Sequence, residues 1–368
     1  MQEVLNKSNP ISSTWNCSGE AYCGTNFWFT VNVLITVVTI SGNLLTIFAI
    51  LLSRHLSSMV ANQFVFSLAV SDFFVGCSLP YHMAFYVIDN FGADRLNCLL
   101  RFLLIQFACS SSICNLLLIA TDRYIAVIYP LHYASKVTRR TSLTMILVGW
   151  AFSFSLAAVL LVWNEWRDGS QCELVVVVPA NYMNFIVFPM FVLTWSIMLL
   201  LYSRICREAT GHAQRIRSSN QSIPALRDSK SFQVMLTILG YFTVFWMPYL
   251  IIAICARYYR ERNFALLYEV AFNLAVANSG MNPVIYAWKN RNFRDAFLKL
   301  IRCKSPDAQP CGANYVTDHV PSKKSSLAVH AVFGVVDENV ARTDNGCSVS
   351  MPGSDTTDVI EITESTVE

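Results

Sequence analysis

A single carboxylate, Asp72, lies in the middle of a long apolar stretch of the chain. An ionised group inside hydrocarbon costs about 2.5–3.5 kcal/mol on insertion scales, so a residue of this kind indicates a functional site. Neutral polar residues occur at comparable depth in other apolar stretches, namely Asn43, Ser112, Asn278, Ser279 and Asn282. Together they form a candidate cluster of oxygen ligands around Asp72 that suits a sodium ion. The alternative is an interhelical hydrogen-bond network that holds no ion.

A second charged group is the triplet Asp122-Arg123-Tyr124, which directly follows a long run of apolar and small residues. A span of about twenty apolar residues that stops on charges is typical of a membrane helix that reaches water. Arg123 alone could be a flanking residue that extends to lipid headgroups. The rest of the chain must therefore decide whether the triplet has a further role.

Histidine and cysteine do not predict an enzyme. His82, His132 and His212 are scattered over different sides of the expected membrane, so they do not form the ligand set of a membrane hydrolase. The cysteines outside the apolar stretches, Cys98 and Cys172 among them, lack metal-ligand spacing such as CxxC. We therefore expect no catalytic site.

The composition places these residues in a membrane. Of the 368 residues, 54% are hydrophobic and 14% are charged, which is too apolar for an ordinary soluble domain. The net charge of +3 is small and indicates no nucleic-acid partner. We predict an all-α membrane protein, a seven-helix transmembrane bundle with a C-terminal amphipathic helix. The predicted spans are residues 27–52, 61–88, 96–128, 142–163, 176–205, 232–256 and 265–288.

The segments outside the spans indicate the orientation. Residues 1–26 are polar and contain Asn6 and Asn16 in glycosylation patterns, whereas basic residues concentrate in alternate connections and after the last span. Positive connections face the cytoplasm, so we predict an extracellular N-terminus and a cytoplasmic C-terminus at the plasma membrane.

The chain after the last span changes character twice. Between Asn292 and Arg302, Phe293, Phe297 and Ile301 recur every four residues, which predicts an amphipathic helix on the inner leaflet. Cys303 follows it and is a candidate for palmitoylation. Residues 304–368 are rich in Ser, Thr, Asp and Pro and read as a disordered tail. The predicted domains are thus 1–26, 27–303 and 304–368.

Over residues 27–303 the chain resembles the rhodopsin-like (class A) G-protein-coupled receptors, and its short segments are nearest to the amine and adenosine branch. One group of residues per helix carries the resemblance, in the expected order. These groups are Gly42-Asn43, Ser67 to Asp72, Cys98, Asp122-Arg123-Tyr124 with Pro130-Leu131, Trp150, Tyr202, Phe242 with Trp246 and Pro248, and Asn282-Pro283-Val284-Ile285-Tyr286.

The resemblance implies a receptor that passes an extracellular or membrane-borne signal to heterotrimeric G proteins when its sixth helix moves outward. In such receptors Asp122 would hold Arg123 at rest, with Asp228 as a second partner, and Leu131 would enter a pocket on the G protein. Cys98 would pair with Cys172. The Asp72 cluster would be the sodium site. The residues implied in activation also include Tyr124, Tyr202, Phe242, Trp246, Pro248, Asn282, Pro283 and Tyr286.

Departures from the family pattern bear on the ligand. The position of the amine-binding aspartate is Ile105, and the proline usual in the fifth helix is Thr194. A cationic amine would have no counter-ion here, and an unpaired buried charge is costly. We therefore expect a small neutral or lipid-like ligand. Its predicted pocket is lined by Ile105, Gln106, Cys109, Trp246, Tyr249, Phe272, Asn273 and Val276.

Two other functions stay open at this point. A constitutively active receptor without a ligand would carry the same Asp122-Arg123-Tyr124 triplet. A transporter would be expected to bury several charges along a pathway, and the sequence indicates only Asp72.

Phosphorylation of the Ser- and Thr-rich tail would create an acidic surface for arrestin.

Overall fold

The computed structural model describes residues 20–218, 225–258 and 263–307, and the regular structure in these ranges is helical. Seven long helices are followed by a short one. They are α1 (Glu20–Leu52), α2 (Ala61–Val87), α3 (Arg95–Ile128), α4 (Arg139–Val162), α5 (Phe188–Ser218), α6 (Ala225–Tyr258), α7 (Asn263–Lys289) and α8 (Arg291–Ile301). The predicted seven-helix bundle with a C-terminal helix is confirmed.

Six of the long helices in the described part contain a stretch long and apolar enough to cross a membrane. Helix α7 has a similar length but carries Asn273, Asn278 and Asn282 along one segment. These amides lower its hydropathy, although all three are buried in the bundle. The polar side chains that lower the hydropathy of α7 therefore face the interior of the bundle.

Several helices begin where the sequence offers a side-chain cap. The carboxylate of Asp94 accepts a hydrogen bond from the Asn97 N–H (2.9 Å) at the start of α3. The Asn290 side chain accepts one from the Asn292 N–H (3.1 Å) and so separates α8 from α7. Such caps satisfy N–H groups that have no partner within the helix.

The fifth span begins differently from the prediction. Residues Leu174–Val177 form a separate short helix, and the span starts at Ala180 because Pro179 interrupts the chain. The predicted start at residue 176 was therefore wrong. A π-helical turn at Met183–Val187 follows, in which the Phe188 N–H donates to the Met183 carbonyl five residues earlier. This turn joins α5 without a break.

Helix α3 occupies the middle of the bundle, where it contacts α2, α4 and α5, and α1 closes the bundle against α2 and α7. Two glycines allow the close packing of α1. A Cβ on Gly76 would lie 2.7 Å from Ile40 Cγ1, and one on Gly42 would lie 3.0 Å from Pro283 Cγ. We name the two ends of the bundle after α3 residues, as the Cys98 end and the Arg123 end.

Helix α8 has the predicted apolar face, and the start of that face packs on the bundle. Phe293 and Phe297 are buried, and the Phe293 ring lies 5.3 Å from the Tyr286 ring at the end of α7. Ile301 is 68% exposed. The three residues therefore do not share one membrane-facing surface, because the start of α8 is held against the bundle and only its far end projects. Cys303 is exposed just beyond it.

Candidate functional site

Asp72 lies at the centre of a buried polar cluster. The Ser112 hydroxyl donates to Asp72 Oδ1 (2.6 Å), and the Asn282 amide donates to Oδ2 (2.7 Å). In the described ranges no arginine, lysine or histidine forms an ion pair with this carboxylate. Asn278 and Ser279, which lie about one turn before Asn282 on α7, are also buried. The structure thus brings three helices together around one uncompensated carboxylate, with oxygen donors of the type that sodium prefers.

Asn43 connects this cluster to α1. Pro283 has no N–H, so the carbonyl of Ser279, four residues earlier, lacks its helical partner. The Asn43 amide donates to that carbonyl (3.0 Å) and to the Thr39 carbonyl (2.8 Å). The close approach at Gly42 makes this contact feasible. The asparagine of one helix therefore compensates for the proline of another.

A neighbouring network was missed by sequence reasoning. The Ser67 hydroxyl donates to Asn115 Oδ1 (2.8 Å), and the Trp150 indole N–H donates to the Ser67 oxygen (2.9 Å). The Asn115 amide donates to the Ser111 carbonyl (2.9 Å) in its own helix. This network joins α2, α3 and α4. An asparagine seven residues before Asp122 on an apolar helix was the available signal.

At the Arg123 end, Asp122 has partners on both carboxylate oxygens. The Arg123 guanidinium pairs with Oδ2, and the Tyr133 hydroxyl donates to Oδ1 (2.8 Å). Asp122 is buried while the Arg123 side chain is partly exposed. Burial, and next the Asp122 carboxylate, raise the pKa of Tyr133 to about 12, so this phenol remains a donor at neutral pH.

Tyr133 lies in a short helix, Pro130–Lys136, that follows α3. Tyr133 was not among the residues predicted to be functional. Leu131 in the same helix is 92% exposed. A groove of about 570 Å³ is lined by Val60, Arg123, Tyr133 and their neighbours. The side chain of Asp228 lies outside the described residues, as do Asn6, Asn16 and the phosphorylation candidates of the tail.

The middle of the bundle contains an aromatic group that connects α5 and α6. The Phe191 ring stacks on Phe242 (5.6 Å, 20°) and lies 5.7 Å from the Trp246 ring. Thr194, at the position where a proline was expected, donates to the Met190 carbonyl of its own helix (2.8 Å). Thr194 therefore bonds within α5, and side-chain contacts to α6 come from Phe191 and from the Trp195 indole N–H, which donates to the Thr243 hydroxyl (3.2 Å). Tyr202 and Tyr286, further toward the Arg123 end, are both buried.

Most of the predicted pocket residues are neighbours in the structure. The Tyr249 ring lies 6.0 Å from Trp246 and 6.1 Å from Phe272. A small apolar cluster packs Ile105, Cys109 and Phe272 against Val276 with Val75, Leu79 and Ala108. Gln106 and Asn273 make their hydrogen bonds within their own helices, to Ser110 and to the Glu269 carbonyl. The surface is thus predominantly apolar and aromatic.

The Cys98 end holds the clearest correction to the sequence analysis, which counted Asp72 as the only buried charge. Arg101 is only 8% exposed and forms hydrogen bonds with His82, Tyr86 and the Cys172 carbonyl. The Cys98–Cys172 disulfide, which was predicted, is present and holds that carbonyl in place. The sequence signal was Arg101 itself, a charged residue inside the predicted third span, about one helical turn after Cys98.

The described residues contain no group of three or more His, Cys, Asp or Glu side chains that could hold a metal ion. This result concerns metals with such ligands and leaves the oxygen cluster at Asp72 as the ion site to consider.

Comparison with known proteins gives a consistent result. Residues 42–286 match the family model described as 7 transmembrane receptor (rhodopsin family). The chain is 29% identical over 331 residues to the histamine H2 receptor of Canis lupus familiaris, which covers 85% of this chain and 90% of that protein. It is 33% identical over 305 residues to the adenosine receptor A2a of Homo sapiens, covering 76% of this chain and 73% of that protein.

Proposed function

Because the chain belongs to the rhodopsin family of seven-transmembrane receptors, we propose that it transmits an extracellular or membrane-borne signal to heterotrimeric G proteins. It acts at the plasma membrane with its N-terminus outside and its C-terminus in the cytoplasm. It is not an enzyme; its output is the change of state that it causes in the G protein.

The observation that carries this proposal is the arrangement of Asp122, Arg123 and Tyr133. A buried carboxylate holds Arg123 from one side and accepts a phenol hydrogen bond on the other, beside an open groove. Release of Arg123 would present a cation to a partner at that groove. Leu131, which is exposed in the same short helix as Tyr133, is a second contact for the same partner.

Helix α6 couples the Cys98 end of the bundle to the Arg123 end. Pro248 interrupts the hydrogen-bond ladder of α6 two residues after Trp246, which belongs to the aromatic group with Phe191 and Phe242. A ligand that displaces Trp246 would alter this stacking and favour an outward position of the Arg123 end of α6. This is a population shift between two arrangements of one bundle.

The ligand proposed for the pocket is a small neutral or lipid-like molecule. Ile105 provides no counter-ion for an amine, and the pocket is built from Trp246, Tyr249, Phe272 and apolar neighbours. Pockets of this kind favour apolar molecules with few polar groups. The histamine and adenosine of the relatives' names are therefore not assigned to this chain. The alternative is a receptor that is active without a ligand.

A sodium ion is proposed at Asp72, held by the carboxylate with Ser112 and the polar residues of α7 as further donors. When bound, the ion would supply the positive charge that the cluster lacks and stabilise the resting bundle. Proposed modifications complete the assignment: glycosylation at Asn6 and Asn16, palmitoylation at Cys303, and tail phosphorylation that recruits arrestin.

The test is basal signalling in cells that express the full chain, read as cyclic AMP and calcium without added ligand. We expect a signal above mock-transfected cells that Arg123→Ala abolishes at equal surface expression. The exposed neighbour Arg140, changed to Ala, is the control and should retain the signal. A basal signal that survives Arg123→Ala would contradict the role assigned to this residue.

A further inference from the structure

Arg101 is a buried cation whose partners among the described residues are all neutral. Its Nε donates to His82 Nδ1 (3.0 Å), one terminal nitrogen donates to the Cys172 carbonyl (3.1 Å), and the other donates to the Tyr86 hydroxyl (2.9 Å). The guanidinium also lies over the Phe85 ring (4.6 Å from its centroid). Within the described ranges no Asp or Glu forms an ion pair with it.

The lack of a carboxylate partner is unusual for a buried arginine. A charge removed from water is normally compensated by an opposite charge, because neutral hydrogen bonds and ring contacts recover only part of the lost hydration. Charge-assisted hydrogen bonds to a carboxylate or phosphate are the strongest that a guanidinium forms, and its planar fork suits them. The Arg101 site therefore has the donors and the charge for an anion but contains none of its own.

The Arg101 site is continuous with the residues of the proposed ligand pocket. The His82 ring stacks on Phe272 (5.0 Å), and Phe272 stacks in turn on Tyr268 (6.5 Å) and lies beside Tyr249. Phe272 also belongs to the apolar cluster around Val276. A path of aromatic and apolar side chains thus leads from the guanidinium into the bundle.

One of the neutral partners can be displaced at small cost. Tyr86 is 72% exposed, so its phenol can exchange the Arg101 hydrogen bond for water. The Cys172 carbonyl, by contrast, is held by the disulfide to Cys98, in the same helix as Arg101. An incoming acid would therefore replace Tyr86 while the loop continues to orient the guanidinium.

We infer that the ligand is an amphiphile with one acidic headgroup, a carboxylate or a phosphate, which Arg101 binds while the apolar part packs against Phe272, Tyr249 and Trp246. This inference rests on the proposed function and narrows its ligand class from neutral or lipid-like to an acidic lipid-like molecule. It also accounts for the absence of an acid at Ile105, since the charge that the pocket provides is positive and lies one turn earlier on α3.

The experiment measures the melting midpoint of the purified full chain in neutral detergent with four probes. Oleate and oleoyl lysophosphatidate carry the acid and the apolar chain, oleyl alcohol carries the chain alone, and inorganic phosphate carries the anion alone. Because a ligand that binds the folded state raises the midpoint with its concentration, the titration gives an apparent affinity for each probe. We expect at least one acidic lipid to raise the midpoint, and oleyl alcohol and phosphate to leave it nearly unchanged.

Three variants assign the effect to Arg101. Arg101→Gln should weaken binding of the acidic lipid by about tenfold or more, since one charge-assisted contact is lost. Arg101→Lys, which keeps the charge but not the fork, should retain part of the affinity and serves if Arg101→Gln fails to fold. Arg95→Gln removes an exposed arginine at the same end of α3 and should bind as the unaltered chain does.

Several results would overturn the inference: no shift with either acidic lipid, an equal shift with oleyl alcohol, or an unchanged affinity in both Arg101 variants. A full shift with inorganic phosphate alone would also overturn it, because the site would then bind a free anion. Basal signalling with and without Arg123→Ala separates the two proposals. If that signal behaves as proposed while the acidic lipids fail, the receptor function stands and only the ligand class is wrong.

Discussion

Removal of the Tyr133 hydroxyl is expected to raise basal signalling. In Tyr133→Phe the ring volume is kept, but Asp122 Oδ1 loses the hydrogen bond of 2.8 Å that it now accepts. Asp122 is buried, so no solvent replaces the lost donor in the resting arrangement. The resting state is destabilised, whereas a state in which Arg123 has left Asp122 is affected less.

The magnitude follows from the charge of the acceptor. A hydrogen bond to a charged group contributes about 1.5–3 kcal/mol net, and partial exposure of Tyr133 favours the lower end of this range. A shift of about 1.4 kcal/mol changes an equilibrium tenfold. If about 1% of the chain is active at rest, the variant should reach about 10%.

The assay is ligand-free cyclic AMP and calcium signalling, normalised to surface expression, with Tyr129→Phe as the matched control. Tyr129 belongs to the same connection, is largely exposed and lies against the Tyr124 ring, so loss of its hydroxyl should change little. A basal signal in Tyr133→Phe that equals or falls below that of the unaltered chain would refute the reasoning.

The pKa of Tyr133 adds a pH test. Its value is raised from 10.0 to about 12, so the protonated phenol is favoured in the folded state. The corresponding stabilisation is fully present below about pH 10 and is lost only as the pH rises through about 12. The excess basal signal of Tyr133→Phe should therefore be constant from about pH 6 to 9.

Two further predictions concern the buried polar groups. Asn43→Ala leaves the Ser279 carbonyl without a donor, so the free energy of unfolding should fall by about 1–3 kcal/mol and the melting midpoint by about 2–4 °C per kcal/mol. The control Asn32→Ala loses a hydrogen bond within α1 alone, and its melting midpoint should fall less. Equal losses in the two variants would contradict the bridging role of Asn43. Replacing choline chloride by sodium chloride should raise the midpoint of the unaltered chain but not that of Asp72→Asn, and a sodium effect that persists in this variant would exclude Asp72 as the ligand.

Prediction from sequence worked best where the determining interaction is local or with the membrane. Span positions follow from hydropathy, and the predicted start of the third span at residue 96 lies one residue from the start of α3 at Arg95. The error at the fifth span also had a local cause, since Pro179 marks the break that the apolar run concealed. The grouping of Asp72, Ser112 and Asn282 was accessible because polar residues at equal depth must avoid lipid and so face one another.

Sequence reasoning failed where the partner is distant along the chain and the residue type is ambiguous. Arg101 near a helix end has the pattern of a flank that extends to water, and only the disulfide-held loop and the His82 side chain show that it is enclosed. Tyr133 appeared as an ordinary aromatic residue of a connection until its helix placed it beside Asp122. Phe191 was one of many aromatics on an apolar helix.

The sequence by itself determined the membrane location, the number of helices and the residues that could carry charge into the bundle. These features follow from the free-energy cost of exposing polar groups to hydrocarbon. This cost applies to each segment separately, so it can be read from the sequence of that segment alone. The tertiary structure decided which of these charges has a counter-ion. Asp122 pairs with Arg123, whereas among the described residues Asp72 and Arg101 have only neutral hydrogen-bond partners. Compensation depends on distances of about 3 Å between helices, and rotation of a helix about its own axis, which hydropathy hardly constrains, sets those distances.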